Sequence, residues 1–171
     1  MCLAKIKKIG ENNLSLVCLD NQVFIGSGDI CDLREEKSFG EMPTIHIFRD
    51  DKLDNNCIYV NGILAKGPYN ENKHFCLEYK DGYCIPDTDL NNLYRFIKSK
   101  AQILVHCHAG RTRSAVIGLF AFMLLDKSDP ISALEKVYRN FYTQLGYFPN
   151  ITLDPMTSIM SWYENRKNDL N

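Results

Sequence analysis

The chain has 171 residues, 45% of them hydrophobic and 24% charged, a balance that suits one globular domain able to bury a sizeable core. Its formal net charge of −1 excludes a global field that would recruit nucleic acid or an anionic membrane surface. No apolar run reaches the ~18 residues of a membrane span, and the start MCLAKIKKIGENN has lysines but no apolar h-region, so neither an integral membrane protein nor a secretory signal is expected.

In chain order, LSLVCLDNQVFIGSG reads as two strands around an Asp20-Asn21 turn, a hairpin signal. GDICDLREEKSFG reads as a short polar turn or helix, PTIHIFRD alternates as a strand does, and DDKLDNNC is a charged, Asn-rich loop. IYVNGILAKGPYNENKH carries the weakest pattern, with one short strand expected around Ile58 to Val60. FCLEY is a further strand and DGYCIP a turn. Asp89 is placed as the N-cap of a helix from Leu90 to about Lys100, with Leu90, Leu93, Tyr94 and Ile97 on one face.

QILVH is too short for a helix and rich in strand formers, which predicts a buried central strand. Ser114 to Leu125 is apolar nearly all round and reads as a buried helix. Asp129-Pro130 opens the next helix, with Pro at its first position and a stripe of Ile131, Leu134, Val137, Tyr138 and Phe141. Gly146 and Pro149 punctuate, and a last helix is expected from about Thr152 to Arg166. The pattern predicts an α/β fold over one domain, residues 1–171, in which helices flank a central, mainly parallel, twisted sheet.

Seven cysteines are present, an odd number with no C-x-x-C pair, so a metal site is not expected and most read as small buried residues in a reducing cytosol. Cys107 differs in its context, ILVHCHAGRTRS followed by AVIGLFAFMLL. A strand ending at Val105-His106 and a helix starting near Arg113 or Ser114 force a tight loop at the carboxyl end of a strand, where ligands of open α/β sheets sit. Unpaired N–H groups at the helix start, a nest allowed by Gly110, and the planar fork of Arg113 would hold a phosphate. The same surroundings lower a thiol pKa from near 8.5 to roughly 3.5–7.5. Cys107 is thereby the expected nucleophile, cradled by His108, Ala109, Gly110, Arg111, Thr112 and Arg113. Ser114 would hydrogen-bond the sulfur and help it leave, and His106 would orient the loop through backbone carbonyls.

VHCHAGRTRS resembles the His-Cys-x5-Arg-Ser/Thr signature of the cysteine-dependent protein tyrosine phosphatase superfamily. Residues from about 74 to 166 resemble its compact, dual-specificity-like branch, and NQVFIGSG is similar to a strand near the start of that branch. The resemblance implies hydrolysis of phosphate monoesters, on phosphotyrosine, phosphoserine or phosphothreonine of proteins, through a cysteinyl-phosphate and with no cofactor. It also implies a general acid, an Asp upstream of the Cys strand. Asp81, directly after FCLEY, is the first choice, Asp87 the second, and Asp89 is set aside for capping.

His108 and Arg111 are basic where the branch is often neutral or acidic, which keeps an inositol phosphate or phosphoinositide substrate open. A catalytically inactive phosphate-binding module and a sulfurtransferase-like domain are further alternatives. Cys76 and Cys84 flank Asp81, and either is a candidate disulfide partner for an oxidised Cys107. The expected partner is a phosphorylated protein or small phosphorylated compound in the cytoplasm, not a nucleic acid. The sequence carries no reading of oligomeric state.

Overall fold

The computed structural model describes residues 16–26, 42–48, 73–107 and 109–170. Strands β1 (Leu16–Leu19) and β2 (Val23–Gly26) form the expected antiparallel hairpin. Its two-residue turn places Asp20 at φ 45° and Asn21 at φ 59°, the left-handed pair that matches the twist of a tight hairpin. Gln22 N–H closes the turn onto Leu19 O at 2.9 Å. Strands β3 (Thr44–Phe48), β4 (His74–Glu78) and β5 (Ile103–His106) complete a five-stranded sheet in the order β1-β2-β5-β3-β4. Only the β1–β2 pairing is antiparallel. The pairs β2–β5, β3–β5 and β3–β4 are parallel.

QILVH is thus the central strand, and its residues explain the position. Ile103 and Val105 enter the main core, while Leu104 packs from the opposite face against Leu16, Phe24 and Met42. A strand apolar on both faces is stable only between neighbours, with both faces covered.

Helices α1 (Asp87–Ile97), α2 (Arg113–Asp126), α3 (Pro130–Leu145) and α4 (Leu153–Glu164) follow. Every residue of α2 from Arg113 to Met123 is buried. Gly118 lets α2 approach the sheet, because a Cβ there would fall on the Ile25 side chain. The cap of α3 is as expected: Asp129 accepts hydrogen bonds from Ile131 N–H at 3.0 Å and Ser132 N–H at 3.1 Å, with Pro130 at the first position.

Three local expectations need correction. Helix α1 starts at Asp87, with Pro86 as its N-cap and no side-chain cap, so Asp89 lies in the first turn and serves the helix dipole instead. Pro86 fixes the extended backbone from which the helix can start, which overrides the Asp89 signal. The stripe of α3 is Pro130, Ala133, Val137 and Phe141, whereas Ile131 is about half exposed. Val137 and Phe141 are buried as expected, Leu134 is partly buried against the core, and Pro130 and Ala133 complete the buried face. Helix α4 is shorter than expected, and Thr152 precedes it without a side-chain hydrogen bond.

Trp162, fully buried, joins three helices. Its ring packs edge-on against Phe120 of α2 at 5.0 Å between centroids, and its Nε1–H donates to Asn91 Oδ1 of α1 at 2.9 Å. The segments GDICDLREEKSFG, DDKLDNNC and IYVNGILAKGPYNEN, with the strand expected around Ile58, lie outside the described residues.

Candidate active site

The parallel strand β5 ends at His106 and α2 begins at Arg113, so residues 107 to 112 form the expected loop at the carboxyl end of the central strand. Gly110 is left-handed, φ 67°, and this conformation turns its N–H toward sulfur, at 3.3 Å from Cys107 Sγ. Ser114 Oγ, fully buried in the first turn of α2, is 3.2 Å from the same sulfur. In the thiol form the S–H donates to this oxygen; in the thiolate form the hydroxyl donates back. Thr112, the N-cap residue, makes no side-chain cap hydrogen bond. The first-turn N–H groups of α2 therefore have no side-chain cap and remain available to an anion.

Arg113 is the first residue of α2 and is 8% exposed overall. Its Nε is 3.0 Å from Asp81 Oδ1. Asp81 stands in the turn after β4, beside Gly82 at φ 81°. Asp87 is placed elsewhere: its carboxylate is 60% exposed and faces Arg166 at 3.7 Å. Of the three acids weighed from the sequence, the structure brings Asp81 to the Arg113 guanidinium.

Tyr79 marks the electrostatics of this turn. It is buried and its hydroxyl donates to Tyr83 O at 3.1 Å. Burial first, and then the negative field of Asp81, Cys84 and Asp154, pushes its phenol far above the usual tyrosine range, so it stays neutral.

His106 Nδ1 is 3.1 Å from Cys107 O, a backbone contact of the kind expected. Two residues that the sequence reading passed over join it. His46 lies opposite His106 across the β3–β5 pairing with ring centroids 6.2 Å apart, and His46 Nε2 is 3.1 Å from His74 Nδ1. The strand alternation in PTIHIFRD puts His46 on the face opposite Ile45 and Ile47, but only the cross-strand register puts it beside His106.

Tyr147 is a third such residue. The Arg111 guanidinium lies 4.4 Å over its ring, and Arg111 O accepts from Asn150 N–H at 3.0 Å, which ties the α3–α4 connection to the cysteine loop. His108 and the Cys76 side chain lie outside what the structure describes. Cys84 is an exposed free thiol and Cys107 a buried one. Among the described residues no group of three or more His, Cys, Asp or Glu could hold a metal ion, and no helix is long and apolar enough to cross a membrane.

The fold that carries this loop is shared with cysteine-dependent phosphatases of the dual-specificity type. The crystal structure of PTPMT1 aligns with a TM-score of 0.65 and 13% identity, over 91% of this chain and 98% of that one. A structure of PTPMT1 in complex with PI(5)P aligns with a TM-score of 0.61 and 12% identity, over 91% of this chain and 99% of that one. The phosphatase domain of Yvh1 from Chaetomium thermophilum gives a TM-score of 0.57 and 19% identity, over 89% of this chain and 96% of that one. No family model matches the sequence, and no curated protein sequence matches it. At these identities the likeness establishes the fold.

Proposed function

We propose that the chain, as one domain over residues 1–171, hydrolyses phosphate monoesters by way of a cysteinyl-phosphate, acting as a protein-tyrosine or dual-specificity phosphatase. One observation carries the reading: Gly110 N–H and Ser114 Oγ converge on Cys107 Sγ at 3.3 and 3.2 Å, at the start of the helix that Arg113 opens. A buried sulfur within hydrogen-bond distance of an N–H and a hydroxyl at a helix start is placed to act as a nucleophile.

In the first step the sulfur attacks phosphorus and the bond from phosphorus to the leaving oxygen breaks. The loop N–H groups from His108 to Arg113 and the Arg113 fork hold the three equatorial oxygens, whose charge spreads in the transition state. Asp81, protonated, gives its proton to the leaving oxygen. In the second step Asp81 takes a proton from water as that water attacks phosphorus, and the Ser114 hydroxyl donates to the departing sulfur. His106 holds the loop by its contact with Cys107 O. No metal or cofactor enters these steps. Because the mechanism needs Cys107 reduced, the proposal places the protein in a reducing compartment, the cytosol.

The test is hydrolysis of p-nitrophenyl phosphate, sensitive to vanadate. The wild type turns it over and Cys107→Ser does not. Phosphate binding without turnover by the wild type would instead make the chain an inactive phosphate reader.

Arg111 favours a second reading. Stacked on Tyr147 beside the loop, it presents a further cation to a substrate with more than one phosphate, such as a phosphoinositide, the ligand in the PTPMT1 complex. Faster turnover of phosphotyrosine peptides than of inositol phosphates would remove this reading.

A further inference from the structure

A cavity of about 340 Å³ opens at the far end of α2 from the cysteine loop, between the ends of α1 and α2, Tyr163 of α4, and Leu170. Helix α2 has 14 residues, so at about 1.5 Å of rise per residue roughly 20 Å separate the two sites. Among the described residues, Lys98, Lys100 and Lys127 line the cavity and no Asp or Glu does. Among the described residues none of these lysines takes part in an ion pair, although four other pairs form. Lys98 and Lys100 are propped on rings instead, with Nζ 5.4 Å from the Tyr94 centroid and 5.2 Å from the Phe96 centroid.

Helix dipoles do not account for so much charge. Two helix C-termini carry about −0.5 each, roughly −1 together, against three full positive charges. The cavity keeps an excess of roughly two positive charges. Lys127 also occupies the left-handed C-cap of α2, φ 53°, where glycine is favoured and a β-carbon is strained. Ser128 Oγ, in the wall, is shielded from solvent and has no hydrogen-bond partner among the described residues. The apolar part of the lining includes Met123, itself 1% exposed, and Tyr163.

We propose that this cavity is a second anion site, which takes a small amphiphile: a sulfate, phosphate or carboxylate head on an apolar body. Three unpaired ammonium groups select the negative head. The apolar lining selects the body, at about 25 cal/mol for each Å² it removes from water. The volume is at the lower end of the ~300–1,000 Å³ typical of small-molecule sites. The site is independent of the chemistry proposed for Cys107.

Titration calorimetry of the intact chain with octyl sulfate, an anion that phosphate-ester chemistry does not consume, tests it. Tungstate is present throughout to occupy the cysteine loop. One-to-one binding is expected, weakened roughly tenfold or more in Lys98→Glu/Lys127→Glu, with inorganic sulfate weaker than octyl sulfate by a similar factor. Lys98→Gln/Lys127→Gln removes charge without reversing it, retains the test if the first variant folds poorly, and is expected to show a smaller loss. Affinity unchanged in both variants, or equal affinity for octyl sulfate and inorganic sulfate, overturns the proposal. Co-sedimentation with phosphatidylcholine vesicles containing phosphatidic acid, lost in the same variants, supports the site with a lipid as its source. Octyl sulfate binding without vesicle binding supports it with a soluble source.

Discussion

In the proposed mechanism two anions compete for Arg113. Asp81 Oδ1 lies 3.0 Å from its Nε, and an incoming phosphoryl group would need the same guanidinium. On that proposal, phosphate binding draws on charge that Asp81 shares and frees the carboxyl group to face the leaving oxygen. Replacing Asp81 by Asn separates the two roles. Phosphate and vanadate should bind Asp81→Asn more tightly than wild type, because a competing negative charge is gone. Turnover of phenyl phosphate, whose leaving oxygen needs a proton, should fall by roughly 10²–10⁴. Turnover of p-nitrophenyl phosphate, with its better leaving group, should fall less. An equal loss on both substrates would move the acid role to another residue. The constellation at this scale was largely readable from VHCHAGRTRS, since Cys107, Gly110, Arg113 and Ser114 sit on one continuous stretch whose strand–loop–helix context fixes their mutual placement. Tyr147 was not readable. It comes from a connection 36 positions later in the sequence than Arg111, and no local pattern marks an aromatic that will lie under a guanidinium.

At the scale of an element, the clearest local determinant is the start of α3. The Asp129 carboxylate is held below its ordinary range, chiefly by the Ser132 hydroxyl and then by the Ser132 backbone N–H. Asp129→Ala should cost about 1 kcal/mol, the usual worth of an N-cap. The pH dependence has a definite sign. A group whose folded pKa is depressed contributes fully above its unfolded value and loses that contribution as pH falls through the folded one. The difference between wild type and Asp129→Ala, read as urea midpoints, should be constant near neutrality and shrink as the pH drops below about 4. A difference that persists undiminished in acid would assign the effect to something other than the ionised cap. Such caps are legible because donor and acceptor lie within three residues. The Asp89 expectation failed on the same reasoning, since Pro86, three positions earlier, sets the backbone before Asp89 is reached.

At the scale of the whole molecule, Trp162 joins the last helix to the one that carries Arg113. Trp162→Ala removes a fully buried ring, its edge-on contact with Phe120, and its bond to Asn91, and should cost about 3–5 kcal/mol. For a chain of this size that lowers Tm by on the order of 10 °C. Calorimetry checks it, and a shift within a degree or two of wild type would show that α4 is not coupled to the core. Trp162→Phe, which keeps most of the apolar volume, should recover most of the loss.

The amino-acid sequence by itself determined what short-range chemistry can specify: the hairpin turn at Asp20-Asn21, the central position of a strand apolar on both faces, the Asp129 cap, and the loop between Cys107 and Arg113. It also bounded the proposed general acid to a few aspartates. Only the tertiary structure brings one of them, Asp81, to Arg113, because that contact joins groups 32 positions apart and depends on where the turn after β4 meets the start of α2. The cluster of His46, His74 and His106, the stack of Arg111 on Tyr147, and the three lysines around the distal cavity arise in the same way. Each joins side chains whose spacing along the chain carries no period, so their meeting is decided by sheet register and helix packing.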